Sequence, residues 1–164
     1  MNLKIKKITR DNFSNYGELI STKDLKPNQI NDATTNSYYD LVNIEVYGQD
    51  KRPRINVFEA KKRKFPLEIS MLENHPFSSQ AFIPLKKTNF IVVVAPISTI
   101  PNINLLEAFY ISTDEGINFK SKVWHFPLIA LENCNFLTID KKDSKNNLEI
   151  FKFQNNDKIF LNYE

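Results

Sequence analysis

The stretch Glu73-Asn74-His75-Pro76-Phe77-Ser78-Ser79-Gln80-Ala81-Phe82-Ile83-Pro84 holds most of the chain's chemical equipment. A carboxylate, Glu73, stands two residues before an imidazole, His75. On an extended segment positions i and i+2 face the same side, so the two could work as an acid–base dyad. Gln80 both donates and accepts hydrogen bonds, which suits a small polar ligand. Ser79 is a further positioning candidate. No nucleophilic serine motif surrounds it, so covalent catalysis is not expected.

The only other histidine, His125, sits in Val123-Trp124-His125-Phe126-Pro127. An imidazole titrates near ~6.5 and can give or take a proton at neutral pH. His125 is the first choice for proton transfer, with His75 and Glu73 beside it. Each has a plainer use as well. His125 could be a structural histidine bonded to backbone, His75-Pro76 a turn, Glu73 a surface carboxylate and Gln80 a strand-end amide. If the fold joins the two clusters, the polar atoms of Glu73, His75, Gln80 and His125 should share one pocket.

Composition narrows the class. At 164 residues the chain fits one domain, 1–164, with a core large enough to fold alone. The formal net charge is +3, with lysines scattered except at Lys61-Lys62-Arg63-Lys64, which suits a solvated loop. Basic residues are not interleaved with aromatics on one surface, so no nucleic-acid partner is expected. The single cysteine, Cys134, allows no internal disulfide and no zinc spacing, and fits a small buried hydrophobe. The first residues alternate polar and apolar without a signal core, and no run is long enough for a membrane helix. The expected location is the cytoplasm, away from the membrane.

The elements that must position these residues are mostly strands. Val42, Ile44 and Val46 alternate with polar neighbours as a half-buried strand would. Ile55 and Val57, then Leu67, Ile69 and Met71, repeat the pattern. Phe90 to Ala95 is a continuous apolar run rich in β-branched residues, the mark of a fully buried central strand. Residues 128–131, 136–139, 148–153 and 159–161 continue the series. A short helix is expected around Asp11 to Asn15, ended by Gly17. The window Asn104 to Tyr110 fits a helix or a strand. The fold class is therefore all-β, a sandwich or barrel with one or two short helices. With only 3 glycines, asparagine must take many of the left-handed turn positions.

Several of these stretches resemble the ureidoglycolate lyases, once called ureidoglycolate hydrolases, of allantoin breakdown in purine catabolism. They are FSNYGELI (13–20), LENHPFSSQAFIPL (72–85), FIVVVA (90–95), Glu115 to Asn118, VWHFP (123–127) and FLTID (136–140), in order along the chain. The resemblance implies a cupin-like (RmlC-type) β-barrel or jelly roll, usually a homodimer, that acts on a small molecule. It implies cleavage of (S)-ureidoglycolate to glyoxylate and urea, a carbon–nitrogen lyase reaction. It also implies catalytic roles for His125, His75 and Glu73. Gln80, Ser79, Lys86, Lys120 and Trp124 would bind substrate, with Arg54 a further cation for the carboxylate. Members of the family are linked with a divalent metal, nickel being the candidate. The sequence itself requires no cofactor: its two histidines are 50 positions apart, without the clustered spacing of a cupin metal site. Glu73, His75 and His125 are the residues that could hold a metal.

Three positions depart from the family pattern. Asn74 stands where arginine is usual, and Glu59 where arginine is frequent; Phe126 replaces a second histidine. The departures leave open an enzyme of the same fold for another small hydroxy or ureido acid. A non-catalytic cupin-like binding module is the alternative from a different class.

Overall fold

The computed structural model describes residues 1–142, 146–154 and 157–163. It is mostly β. Strands β1 (Asn2–Leu3) and β2 (Ile5–Lys7) precede a single-turn helix, α1 (Arg10–Phe13). Next come β3 (Gly17–Ile20), β4 (Asn28–Ile30), β5 (Thr35–Ser37), β6 (Pro53–Ala60), β7 (Leu67–Glu68), β8 (Met71–Asn74), β9 (Gln80–Pro84) and β10 (Phe90–Ala95). A 3-10 turn (Ile103–Leu105) leads into β11 (Glu107–Ile111), β12 (Gly116–Phe119), β13 (Trp124–His125) and β14 (Ile129–Ala130). The chain closes with β15 (Cys134–Lys141), β16 (Glu149–Lys152) and β17 (Phe160–Leu161).

Two sheets dominate. One has the order β16-β8-β13-β10-β11-β2, with β14 also on β10; the other runs β3-β12-β9-β15-β6. Smaller sheets are β1-β17-β7 and the hairpin β4-β5. Pairing is antiparallel except at β1/β17 and β2/β11.

Strand β10 is buried on both faces, as its unbroken apolar run requires. Phe90, Val92 and Val94 enter an aromatic core with Phe13, Phe82, Phe109, Phe119 and Phe136, drawn from both large sheets. Ile91, Val93 and Ala95 enter a second core with Leu72, Trp124, Ile129 and Leu161. Thr9 caps α1: its side chain accepts from Asn12 N–H while Asn12 returns a bond to Thr9 N–H. The turn thus aims Phe13 into the first core.

Three local expectations differ from the structure. Residues 42–46 form no strand. Val46 makes a lone bridge to Ser78, while Asn43 N–H goes to the Glu18 carboxylate and Glu45 N–H to Ser79 Oγ. The alternation is real, but side chains satisfy this backbone in place of a neighbouring strand. The window 104–110 resolves into the 3-10 turn and β11, because Ala108, Phe109 and Ile111 are buried in the sheet beside β10. Among the described residues left-handed backbone falls mainly to aspartate: Asp24, Asp32, Asp40 and Asp114 have φ of 54–67°, as against Asn31 alone among the described asparagines. A short acceptor side chain serves either residue there.

Candidate active site

Glu73 and His125 are register partners across β8 and β13, so their side chains leave one face of the sheet together. His75 follows β8 by one residue. The turn at Lys122, with φ 66°, ties back to it through Lys122 N–H donating to His75 O. The imidazoles of His75 and His125 lie 5.3 Å apart between centroids. One ligand atom each from Glu73, His75 and His125 falls within a 4.8 Å set. Residues 50 positions apart in sequence thus meet because β8 and β13 are adjacent strands.

The facing sheet supplies the walls. Phe119 stacks on His125 with centroids 4.3 Å apart and planes at 15°. Gln80 pairs in register with Phe119, which puts its side chain on the same inner face, buried, with Oε1 lacking a hydrogen-bond partner among the described residues.

Both imidazoles are held through Nδ1. His75 Nδ1 is 2.7 Å from Asn147 O, and His125 Nδ1 is 3.0 Å from Val123 O. A carbonyl only accepts, so each Nδ1 carries a proton, and in the neutral imidazole Nε2 then keeps the lone pair. Neither Nε2 has a hydrogen-bond partner among the described residues, although both are buried. Glu73 Oε1 approaches His125 Nε2 at 3.7 Å, too long for a hydrogen bond. The contact is no ion pair at neutral pH. Burial, and then the charge of His75, push the His125 imidazole down to about 3. Burial also raises the Glu73 carboxyl, against the opposing pull of His75.

The result is a set of lone-pair donors with no proton among the imidazole Nε2 atoms. Such a set invites an electron-poor guest. A divalent cation fits: two neutral imidazoles, each anchored by its other nitrogen to a carbonyl, and one carboxylate are a familiar donor set. The hydroxyl and N–H donors of a small organic molecule fit equally.

The remaining predicted residues make other contacts. Trp124, next to His125 on β13, points to the opposite face. It packs in the second core and donates Nε1–H to Ser98 O, 2.9 Å away, so the expectation that it lines the site is corrected. Ser79 Oγ is taken by Glu45 N–H and clamps the 42–47 segment. Lys86 lies beyond the far end of β9 from Gln80 and binds Glu132 at 2.8 Å on the surface. Lys120 reaches Ser14 O at 2.5 Å, and Arg54 binds Asp140 at 2.7 Å. Asn74 is buried and donates to Glu149 at 2.8 Å, Glu59 is exposed on β6, and Phe126 lies in the second core. Phe119 and Asn147 are site-building residues with no local signature; only the register of β12 on β9 and the return of residue 147 to His75 reveal them.

The family model for ureidoglycolate lyase matches residues 1–160. A ureidoglycolate lyase of Pseudomonas paraeruginosa is 36% identical over 160 residues, covering 97% of this chain and 95% of that protein. Ureidoglycolate lyases of Burkholderia mallei and Brucella anthropi are 40% and 38% identical, over 89% and 92% of this chain and 86% and 89% of their own lengths. The chain belongs to the ureidoglycolate lyase family.

Proposed function

We propose that this protein is a ureidoglycolate lyase that cleaves (S)-ureidoglycolate to glyoxylate and urea, a step of allantoin breakdown. The observation that carries the proposal is the convergence of Glu73 with two unpartnered imidazole nitrogens within 4.8 Å, in a chain of this family. The substrate offers the matching donors. Its central carbon bears a hydroxyl and a ureido N–H.

The reaction needs no water and no redox step. Glu73 removes the hydroxyl proton, the C–O bond becomes a carbonyl, the C–N bond breaks, and the proton passes to the departing nitrogen. A half-buried carboxyl with a raised pKa suits this relay, since catalysis favours a group poised near working pH. His125 is too weakly basic to carry the proton. It and His75 offer Nε2, and Gln80 offers Oε1, as acceptors for the ureido N–H groups, since the single hydroxyl proton goes to Glu73. Phe119 excludes water from behind His125, strengthening these contacts. A divalent metal held by Glu73, His75 and His125 would supply Lewis-acid polarisation of the substrate oxygen.

The wider frame is a single cupin-like domain, 1–164, in the cytoplasm. Two large sheets enclosing one aromatic core support the cupin-like form. No helix among the described residues is long and apolar enough to cross a membrane. Homodimerisation is supported by an apolar outer face: Ile55 and Val57 on edge strand β6 are 69% and 58% exposed, beside half-buried Ile139 and Leu137 on β15. The test of activity is glyoxylate release from fresh substrate above its spontaneous decay. Release equal to the decay rate would refute it.

A further inference from the structure

Residues 42–47 carry the alternation of a strand, yet their only sheet pairing among the described residues is the bridge at Val46. They form a strap between two left-handed residues, Asp40 and Gly48, at φ of 54° and 87°. From Glu45 to Tyr47 the hydrogen bonds of the strap go to the two segments that carry the polar groups of the site. Glu45 reaches both.

The first segment is the chain between His75 and Gln80. Glu45 N–H donates to Ser79 Oγ at 2.9 Å, Ser79 N–H donates to Glu45 O at 3.0 Å, and Tyr47 N–H donates to Phe77 O at 2.8 Å. Ser79 immediately precedes Gln80, the first residue of β9. Asn147 holds the same chain: it accepts at Oδ1 from Phe77 N–H, donates from Nδ2 to Ser78 Oγ, and accepts at its backbone O from His75 Nδ1. The second segment is the turn from Lys120 to Val123. Glu45 Oε2 accepts from Ser121 N–H at 2.9 Å, while Oε1 accepts from the Tyr47 hydroxyl at 3.1 Å. That turn grips both histidines, because Lys122 N–H donates to His75 O and Val123 O accepts from His125 Nδ1. A carboxylate on a backbone N–H makes a charge-assisted bond, stronger than one between neutral groups.

We propose that Glu45 is a positioning residue of the site: it locks the segment that carries Gln80 to the turn that holds His75 and His125, and so fixes the three acceptors relative to one another. The assignment rests on the lyase reading for what the acceptors bind, though not for the lock itself. Glu45 acts through these bonds without touching the substrate. Its effect on turnover comes through geometry, where a displacement of ~1 Å can cost on the order of 10²-fold. Glutamine keeps the lock, because its Oε1 still accepts from Ser121 N–H. Alanine has no acceptor, and aspartate is one methylene too short to span the gap.

The test reads the site in two ways, on the full-length wild-type chain and on Glu45→Ala, Glu45→Asp and Glu45→Gln. With isotopically labelled histidine, the ring signals of His75 and His125 in magnetic resonance report the surroundings of the imidazoles whatever the substrate. E45A and E45D should shift both rings, and E45Q should leave them at their wild-type positions. In turnover of ureidoglycolate, kcat/KM should fall about ten-fold or more in E45A and E45D, with E45Q within about three-fold of wild type. Unshifted rings, or an unchanged kcat/KM, in a folded E45A or E45D would overturn the proposal and leave the lyase reading standing. An E45Q that behaves like E45A would overturn it as well, since the acceptor is what the lock needs. So would failure of both E45A and E45D to fold, which would make Glu45 a residue of stability alone. Rings that shift in E45A and E45D and return in E45Q, in a protein whose wild type does not turn over ureidoglycolate, would uphold the lock and refute the lyase reading instead.

Discussion

Glu73 and His125 titrate in opposite senses, and each leaves its mark on stability. The His125 imidazole is depressed from 6.5 to about 3, so between those values the unfolded chain binds a proton that the folded chain refuses. Its contribution is complete above pH ~6.5 and is lost as the pH falls towards 3, with a slope of at most ~1.4 kcal/mol per pH unit. Glu73, raised by burial, works the other way: it favours the folded state at acid pH and loses that advantage as the pH rises through its folded value. Replacing His125 by Asn should therefore flatten the acid limb of a stability–pH curve measured by denaturant unfolding. An unchanged acid limb would mean that the imidazole is not held neutral. Truncation to Ala is a poorer probe, because the ring is 2% exposed and stacked on Phe119, so stability would suffer along with activity. The paired Nε2 lone pairs carry a second expectation. Nickel should raise the melting temperature, by an amount worth about 2.7 kcal/mol at a hundred times its dissociation constant. His75→Ala should abolish that rise, and an equal rise in the variant would place the metal elsewhere.

At the scale of elements, β10 decides the fold. Val93 is fully buried and faces the second core while its neighbours face the first. Val93→Asp should abolish soluble folding, since an unpaired buried charge costs several kcal/mol. A soluble V93D with a normal melting curve would contradict the central position of the strand. This strand was legible in the sequence because burial on both faces leaves an unbroken apolar run. Residues 42–46 were misleading for the converse reason: alternation records which side is buried and says nothing about what bonds the backbone. The window 104–110 was ambiguous because Ala108, Phe109 and Ile111 satisfy either period, and only the neighbouring β10 selects the strand. In the site, Glu73, His75, Gln80 and His125 could be named from residue type. Phe119 and Asn147 could not, because their roles arise from strand register and burial, which no local spacing encodes. Trp124 was misplaced for a related reason: adjacency to His125 in a strand puts a side chain on the opposite face.

The whole molecule leaves one large sheet incompletely covered. Ile55, Val57, Leu137 and Ile139 form an apolar band on the outer face at edge strand β6, a surface that isolated sheets usually protect. A twofold dimer joined there would cover it. Val57→Asp should then convert dimer to monomer in light scattering across a dilution series, with little change in secondary structure. A wild type that is monomeric at every concentration would remove the dimer and leave the site untouched. In the proposed reaction the acceptor cluster between the two large sheets holds the substrate and Glu73 moves the proton. The most direct measurement is the initial rate of urea formation from (S)-ureidoglycolate by the wild-type protein and by Glu73→Gln. Urea and glyoxylate should form in equal amounts, well above spontaneous decay, with a loss of ~10²-fold or more in the folded variant. Ammonia in place of urea, or a folded E73Q that keeps the wild-type rate, would contradict the proposed reaction.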